Sequence, residues 1–195
     1  MKLITIDAAS HFHTGALVGD EALDFAFCGD EWAMARWVPM DMRALLAGGE
    51  RALDLLRAFI ASVATDKRRA DRLRASGALK PLSAVRLGPV VPRPGILLSH
   101  GRAYHDHLKE MRGADAKPAE DPSGFLKNLN SITASGAPIR LPAHRSTMVD
   151  FEGEFSIVFG ARCHNVSEDR ALEQDRKSTR LNSSHIPLSR MPSSA

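Results

Sequence analysis

The stretch from Asp150 to Gly160 alternates acidic and apolar side chains, and it reads Asp-Phe-Glu-Gly-Glu-Phe-Ser-Ile-Val-Phe-Gly. Side chains on an extended chain point alternately to opposite faces, so the pattern predicts a β-strand with one apolar and one acidic face. Glu152 and Glu154 would project together, roughly 7 Å apart at Cα. Their carboxylates could bind a hard divalent cation, Mg²⁺ or Mn²⁺, or form a solvated acidic face. Spacing alone cannot decide between these two.

A second group of candidate residues lies between His100 and Met111. If the chain from Tyr104 to Met111 is helical, His107 and Glu110 lie three apart on one face and can meet. A carboxylate that accepts a hydrogen bond from one imidazole nitrogen leaves the other nitrogen available as a base. Ordinary helices often carry such a pair. His105 and His107 could instead form a metal pair, although helical spacing would point them apart.

The first 64 residues predict strands followed by helices. Strands are expected at 2–7, 16–18 and 23–27, with a turn at Gly19 and Asp20. Asp41 can cap a short helix that ends at residues 48 and 49. A longer amphipathic helix is expected over 50–64, because its apolar positions recur every three or four residues. These positions are Leu53, Leu56, Phe59, Ile60 and Val63.

The rest of the chain predicts a boundary and a second domain. Residues 65–75 are dense in charge and indicate a solvated helix end. Four prolines in 77–94 favour extended chain over helix. A short buried strand is expected at 96–98, a strand over 125–127, a turn at 135–138, and a helix capped by Ser167. The predicted fold is therefore mixed α/β. Its parts are a small N-terminal domain (1–75), a Pro-rich linker (76–94), a catalytic domain (95–174) and a disordered, non-native-looking tail (175–195).

Composition is typical of a soluble globular protein, and the sequence has neither a signal peptide nor a membrane span, so a cytoplasmic location is expected. The formal charge is +3 and the pI is about 9.1. Residues 175–195 hold four of the 26 basic and one of the 23 acidic residues, which leaves 22 of each before them. The pI is thus no argument for a nucleic-acid partner. A polyanion-binding role for the basic run from Lys67 to Arg74 stays a minor alternative.

Seven segments, in order and spacing, resemble the fumarylacetoacetate hydrolase family over about residues 1–174. They are the opening Met-Lys-Leu-Ile-Thr, Pro-Arg-Pro-Gly at 92–95, Tyr-His-Asp-His-Leu-Lys-Glu-Met at 104–111, Phe-Leu-Lys at 125–127, Pro-Ile-Arg-Leu-Pro at 138–142, Val-Asp-Phe-Glu-Gly-Glu at 149–154 and Asn-Val-Ser-Glu at 165–168. Each motif is weak alone, but seven in register are specific. Ala103 and Asn128 depart from the family pattern, which usually has Asn and Pro there.

The resemblance implies a mixed β-roll catalytic domain behind a small N-terminal domain, usually in a homodimer, acting on a small-molecule 2-oxo acid. By that resemblance Glu152 and Glu154 bind a divalent metal, Mg²⁺ or Mn²⁺. His107 and Glu110 correspond to the general-base dyad, and Lys127 lines the site. Tyr104, in the dyad motif, is assigned to substrate binding. The family's third metal ligand, an Asp, has no counterpart before residue 174.

The resulting prediction is a metal-dependent hydrolase that cleaves a carbon-carbon bond in acylpyruvate-type substrates, as in aromatic catabolism. An oxaloacetate decarboxylase or a dienedioate isomerase at the same site is the alternative. A further possibility is a non-catalytic, truncated domain, in which case the 195-residue chain is expected to be inactive and poorly soluble.

Overall fold

The structure is a computed structural model that describes residues 1–101, 104–117, 123–141, 143–144, 149, 154, 156–159 and 164–170, apart from the side chain of His105. Helices and strands are interleaved along the chain, so the predicted α/β class is confirmed. Within these residues no helix combines the length and apolar character that a membrane crossing requires.

A four-stranded antiparallel sheet forms the centre of the first region. Its strands are β1 (Leu3–Asp7), β2 (Phe12–Val18), β3 (Glu21–Asp24) and β4 (Leu79–Pro81), in the order β1-β2-β3-β4. The first three were predicted, but the third ends earlier than expected. There the Asp24 side chain accepts a hydrogen bond from the Ala26 N–H and starts a short 3-10 turn, Phe25–Phe27.

Two helices cover one side of this sheet. Helix α1 (Met42–Ala47) begins at Asp41, whose carboxylate accepts a hydrogen bond from the Ala44 N–H as predicted. Helix α2 (Gly49–Thr65) follows directly. Its buried residues are the five that the periodicity predicts: Leu53, Leu56, Phe59, Ile60 and Val63. They join the main core, where the ring of Phe59 stacks on Trp32 with centroids 4.5 Å apart.

The charged run after α2 forms a helix of its own, α3 (Lys67–Ala75), rather than the end of the preceding helix. Asp66 caps it by accepting a hydrogen bond from the Arg69 N–H. Arg72 donates to Glu31 at 2.8 Å, and Arg74 donates to Glu21 on β3 at 2.6 Å. These ion pairs attach α3 to the first region, so Arg72 and Arg74 have carboxylate partners within the protein.

Part of the predicted linker adds to the first sheet. Strand β4 pairs with β3, and further along the Arg86 carbonyl accepts a hydrogen bond from the Asp7 N–H at 2.8 Å. The hydroxyl of Thr5 donates to the Val90 carbonyl, also at 2.8 Å. Pro81 is tolerated in β4 because this is an edge strand, where a missing N–H breaks no ladder. The extended conformation of residues 79–90 was predicted. Their hydrogen bonds to the N-terminal strands were not.

The second region contains β5 (Leu98–Gly101), α4 (His105–Arg112) and β6 (Ser123–Leu126). Strands β5 and β6 pair antiparallel. The prediction of a buried strand at 96–98 is wrong in position and burial, since the strand begins at Leu98, and Ile96 and Leu98 are 65% and 64% exposed. In the described part of the chain the two strands form a separate two-stranded sheet, so the main core does not cover these side chains.

The acidic stretch departs from its prediction. Glu154 and residues 156–159 lie in no regular strand, while residues 150–153, 155 and 160 lie outside the described ones. The predicted apolar face is exposed at Ile157 and Phe159. Val158 instead packs against the core of the first region, and this contact reverses the expected alternation. Further along the chain, a helix begins at residue 168 as predicted. The Ser167 carbonyl accepts a hydrogen bond from the Arg170 N–H at 3.0 Å. The predicted tail lies outside the described residues.

Candidate active site

Helix α4 presents the predicted acid-base pair. His107 Nδ1 and Glu110 Oε2 are 3.7 Å apart across one helical turn. This is an ion-pair distance, longer than a hydrogen bond, so the carboxylate lies beside the imidazole without a close bond to it. The His107 side chain is one-third exposed and that of Glu110 is 79% exposed. The pair is thus partly open to solvent.

The residues around this pair position helix α4. Tyr104 occupies the N-cap position with an extended backbone, and its side chain is 46% exposed. Leu108, one residue after His107, is 2% exposed and anchors the opposite side of the helix. The helix ends at Gly113, whose φ of 96° few other residues adopt. The apolar anchor holds the helix while His107 stays at the surface.

The other predicted substrate residue, Lys127, directly follows β6. Its N–H donates to the Leu97 carbonyl at 2.9 Å, which continues the β5–β6 ladder by one step. In that ladder Ser99 pairs with Phe125, two residues before Lys127. Residues two apart on an extended chain share a face, so the half-buried Lys127 belongs to the same face as Ser99.

Glu154 approaches the same strand. Its Oε2 lies 3.4 Å from the hydroxyl of Ser99, which is itself only 6% exposed. The structure therefore brings one predicted metal ligand, Glu154, to the strand next to Lys127. Glu152, the other predicted ligand, lies outside the described residues.

The dyad and the lysine flank the strand pair from opposite ends. Gly101 pairs with Ser123 where β5 leads toward α4, whereas Leu98 pairs with Leu126 where the chain leads to Lys127. Three strand steps separate these ends, about 10 Å. The register thus places the start of α4 and Lys127 at opposite ends of the β5–β6 pair.

The described residues do not make a metal site by themselves. Among them, no group of three His, Cys, Asp or Glu side chains is arranged to hold an ion. Glu154 is a suitable oxygen ligand for Mg²⁺ or Mn²⁺, but a single carboxylate does not bind such ions firmly. The metal assignment of Glu152 and Glu154 stays a prediction.

Ser99 is a site residue that the sequence reasoning missed. Its signal was a hydroxyl inside a short apolar strand, flanked by Leu98 and followed by His100. A buried polar group needs a partner, and here the partner is Glu154, 55 residues away.

A known protein family matches the part of the chain that carries these residues. The family model "Fumarylacetoacetate (FAA) hydrolase C-terminal" matches residues 97–174, which include α4, Lys127 and Glu154. Residues 97–174 belong to the fumarylacetoacetate hydrolase family.

Curated relatives of this family agree over partial lengths. Protein Rv2993c of Mycobacterium tuberculosis is 40% identical over 94 residues, 48% of this chain and 33% of the relative. The oxaloacetate tautomerase YisK of Bacillus subtilis is 30% identical over 93 residues, 47% of this chain and 31% of the relative. The mitochondrial oxaloacetate tautomerase FAHD1 of Bos taurus is 38% identical over 73 residues, which are 37% of this chain and 31% of the relative. Each alignment thus spans about a third of the relative's length.

Proposed function

We propose that the chain carries part of an enzyme that moves a proton on a 2-oxo acid, with oxaloacetate as the first candidate substrate. The observation that carries the proposal is the accessible His107 and Glu110 pair on α4, inside the segment that matches the family. Two relatives of this chain are named oxaloacetate tautomerases. A tautomerase needs a base and its orienting partner, which is the chemistry of this pair.

In this proposal the imidazole of His107 removes a proton from C3 of oxaloacetate. The electron pair of the broken C–H bond forms the C2–C3 double bond, and the C2 carbonyl oxygen takes up a proton from water, giving the enol isomer. The imidazolium of His107 then returns its proton to the hydroxide, which restores the base. Glu110 orients the imidazole and stabilises the imidazolium that forms. Lys127 binds a carboxylate of the substrate from the other end of the strand pair, and Tyr104 contacts the substrate from the start of α4.

A divalent cation completes the proposal, since Mg²⁺ or Mn²⁺ held by Glu152 and Glu154 would polarise the 2-oxo group and lower the cost of the developing negative charge. Ser99 would then orient Glu154 through the 3.4 Å contact between them. The homodimer implied by the family resemblance would give the exposed apolar side chains of β5 and β6 a partner surface.

The second candidate is carbon-carbon bond hydrolysis of an acylpyruvate by the same dyad, which would then activate water. It is favoured by the name of the matching family, a hydrolase. Decarboxylation of oxaloacetate is a third outcome at this site. His107 would act as base on C3 in tautomerisation and on water in hydrolysis. In decarboxylation CO2 would leave from C4, and a protonated His107 would return a proton to C3 of the resulting enolate.

The test is an enzyme assay of the protein encoded by the complete open reading frame, purified in the presence of Mg²⁺. Ultraviolet absorbance follows the enol of oxaloacetate, pyruvate release reports decarboxylation, and loss of acylpyruvate reports hydrolysis. We expect His107→Gln to lower kcat by about 10²–10⁴-fold. Lys127→Ala should mainly raise KM, because the lysine binds the carboxylate in ground and transition states alike.

The matched control is Lys109→Ala, an exposed substitution on the same helix. It should leave all three rates near those of the unmodified enzyme. Turnover of none of the three substrates, or equal losses in Lys109→Ala and His107→Gln, would remove the proposal.

A further inference from the structure

A chain of polar side chains runs from the surface to the interior beside strands β2 and β3. Ser10 Oγ lies 2.8 Å from His11 Nδ1, and His11 Nε2 lies 2.8 Å from His13 Nε2. His13 Nδ1 in turn lies 2.9 Å from Asp24 Oδ2. Ser10 and His11 are exposed, whereas His13 and Asp24 are buried. Neither the family resemblance nor the proposed function uses these four residues.

The backbone explains why these side chains meet. His11 directly precedes β2 and His13 lies within it, so the two imidazoles fall on the same face of an extended segment. Asp24 is the last residue of β3 and pairs with Gly15, two residues after His13 on β2. Diagonal neighbours on paired strands share a face and lie within reach of long side chains. The order of the chain is therefore set by strand pairing.

The direction of each hydrogen bond follows from the buried end. A carboxylate only accepts, so His13 donates its Nδ1–H to Asp24 and accepts at Nε2. A neutral His11 then donates its Nε2–H to His13 and accepts at Nδ1, where the Ser10 hydroxyl donates. Ordinary neutral tautomers thus satisfy every bond, and all three bonds point from Ser10 toward Asp24. We call this chain of Ser10, His11, His13 and Asp24 the relay.

We propose that Ser10 is the nucleophile of a second active site, which hydrolyses a small acyl ester through an acyl-serine intermediate. His11 is the general base, and His13 and Asp24 are positioning residues. A serine hydroxyl becomes an effective nucleophile when an imidazole removes its proton and a further group orients that imidazole. Here His13 orients His11, and the buried Asp24 orients His13.

The reaction balances with the relay and water alone. Ser10 Oγ forms a bond to the acyl carbon while its proton passes to His11 Nδ1. His11 can pass its Nε2 proton to His13, which brings the positive charge beside the Asp24 carboxylate. The ester C–O bond then breaks, and the leaving alcohol takes the proton back from His11. Water attacks the acyl-serine by the same route, releases the carboxylic acid and restores the hydroxyl.

The exposed end of the relay borders a cleft that suits a small ester. Ser10 and His11 line this cleft, which has a volume of about 320 Å³. Arg93 lines it too, and its guanidinium can stabilise the negative charge that develops on the acyl oxygen. Half-buried apolar side chains of the lining favour a short acyl chain, and they are Phe12, Met40 and Pro92.

The two carboxylates of the cleft lining have hydrogen-bond donors of their own. Asp7 is paired with Arg86 at 2.9 Å, and Asp41 accepts from the Ala44 N–H at 2.9 Å. Among the described lining residues Arg93 is the cation, so it is the group that an acyl oxygen would approach.

The test treats the protein encoded by the complete reading frame with a fluorophosphonate probe, which labels activated serine hydroxyls, and maps the label by peptide mass spectrometry. We expect one label per chain, on Ser10, and hydrolysis of para-nitrophenyl acetate. Ser10→Ala should lose both, and His11→Gln should slow both about 10²-fold or more. Neither readout contains a 2-oxo acid, so the result is independent of the proposed function.

The matched control is Ser83→Ala, an exposed serine away from the relay, which should label and hydrolyse like the unmodified protein. Absence of label on Ser10 in the unmodified protein, or ester hydrolysis at the unmodified rate in Ser10→Ala, would overturn the proposal.

Asp24→Asn tests the direction of the relay. Asp24 Oδ1 accepts from the Ala26 N–H at 3.0 Å, and the amide oxygen of asparagine can keep that bond. The amide nitrogen in place of Oδ2 would donate to His13 Nδ1 and so reverse every hydrogen bond up to Ser10. The Ser10 hydroxyl would then face an N–H instead of a base. Labelling should slow about 10²-fold or more.

Nitrogen-15 NMR of the imidazoles reads the same relay without any chemistry. In the unmodified protein His13 should carry its proton on Nδ1 and His11 on Nε2, and Asp24→Asn should exchange these positions. His144, exposed elsewhere in the chain, should keep its signals and serves as the control. A proton on Nε2 of His13 in the unmodified protein, or a folded Asp24→Asn that labels at the unmodified rate, would contradict the relay.

Discussion

Residues 1–91 and residues 97–170 differ in how they bury apolar side chains. All seventeen buried members of the main core lie between Ala16 and Leu79. In the described residues after 91, Leu108 is the one buried apolar side chain. Exposed apolar side chains are frequent there instead: Ile96, Leu98, Phe125, Leu126, Ile157 and Phe159.

Charged groups show the same contrast. In the first region Glu21, Glu31 and Asp7 each accept hydrogen bonds from an arginine, which lowers the pKa of each carboxyl group. In the second region Glu110 is largely exposed. The first region therefore stabilises itself with its own residues, whereas the described part of the second leaves charged and apolar groups exposed.

The largest expected effect is on the core of the first region. Leu53→Ala should lower the free energy of unfolding by about 2–5 kcal/mol, because Leu53 is fully buried and the substitution leaves a cavity. Urea denaturation measures the change. Leu55→Ala on the same helix (47% exposed) and Leu98→Ala on β5 are the controls, and both should stay within about 0.5 kcal/mol. Equal losses for Leu53 and Leu98 would break the contrast between the regions.

A glycine at a close backbone approach should give the next largest effect. A Cβ at Gly15 would lie 2.4 Å from the Leu23 carbonyl oxygen, inside the β2–β3 pair. Gly15→Ala should therefore cost about 1–3 kcal/mol by forcing these strands apart. At Gly29 the nearest atoms would lie at 3.6 Å, an ordinary contact, so Gly29→Ala is the matched control. Similar melting temperatures for the two variants would contradict the strand geometry.

The smallest effect concerns pH. Arg74 and Arg72 lower the pKa values of Glu21 and Glu31 by hydrogen bonding, so these carboxylates favour the folded state above their unfolded pKa. That contribution is lost as the pH falls through the folded values. The melting temperature should drop as the pH falls below about 4.5, the ordinary pKa of a glutamate, and less steeply in the double variant Glu21→Gln, Glu31→Gln. Asp115→Asn, an exposed carboxylate on neither pair, should keep the original slope.

Sequence predicted best what local spacing determines. The buried face of α2 follows from a helical period, and the start of α1 follows from Asp41 alone. Strand β4 was not predicted, because its pairing of Glu21 with Pro81 joins residues far apart along the chain. The inward position of Val158 likewise depends on contact with the core of the first region.

The candidate site divides in the same way. The meeting of His107 and Glu110 follows from three-residue spacing on one helix. The contact of Ser99 with Glu154 spans 55 residues and could not be read from either segment. The hydrogen bonds that join His11, His13 and Asp24 were not predicted, because they combine a local step from His11 to His13 with a partner on the neighbouring strand, Asp24.

The most direct test of the proposed chemistry is hydrogen exchange at C3 of oxaloacetate, followed by proton NMR in deuterated water after subtraction of the spontaneous rate. It reports removal of the C3 proton directly, the step that the proposal assigns to His107. The protein encoded by the complete reading frame should accelerate exchange, and His107→Gln should lose about 10²-fold or more of that acceleration while Lys109→Ala retains it. Exchange in His107→Gln at the unmodified rate would contradict the assignment of the base on α4.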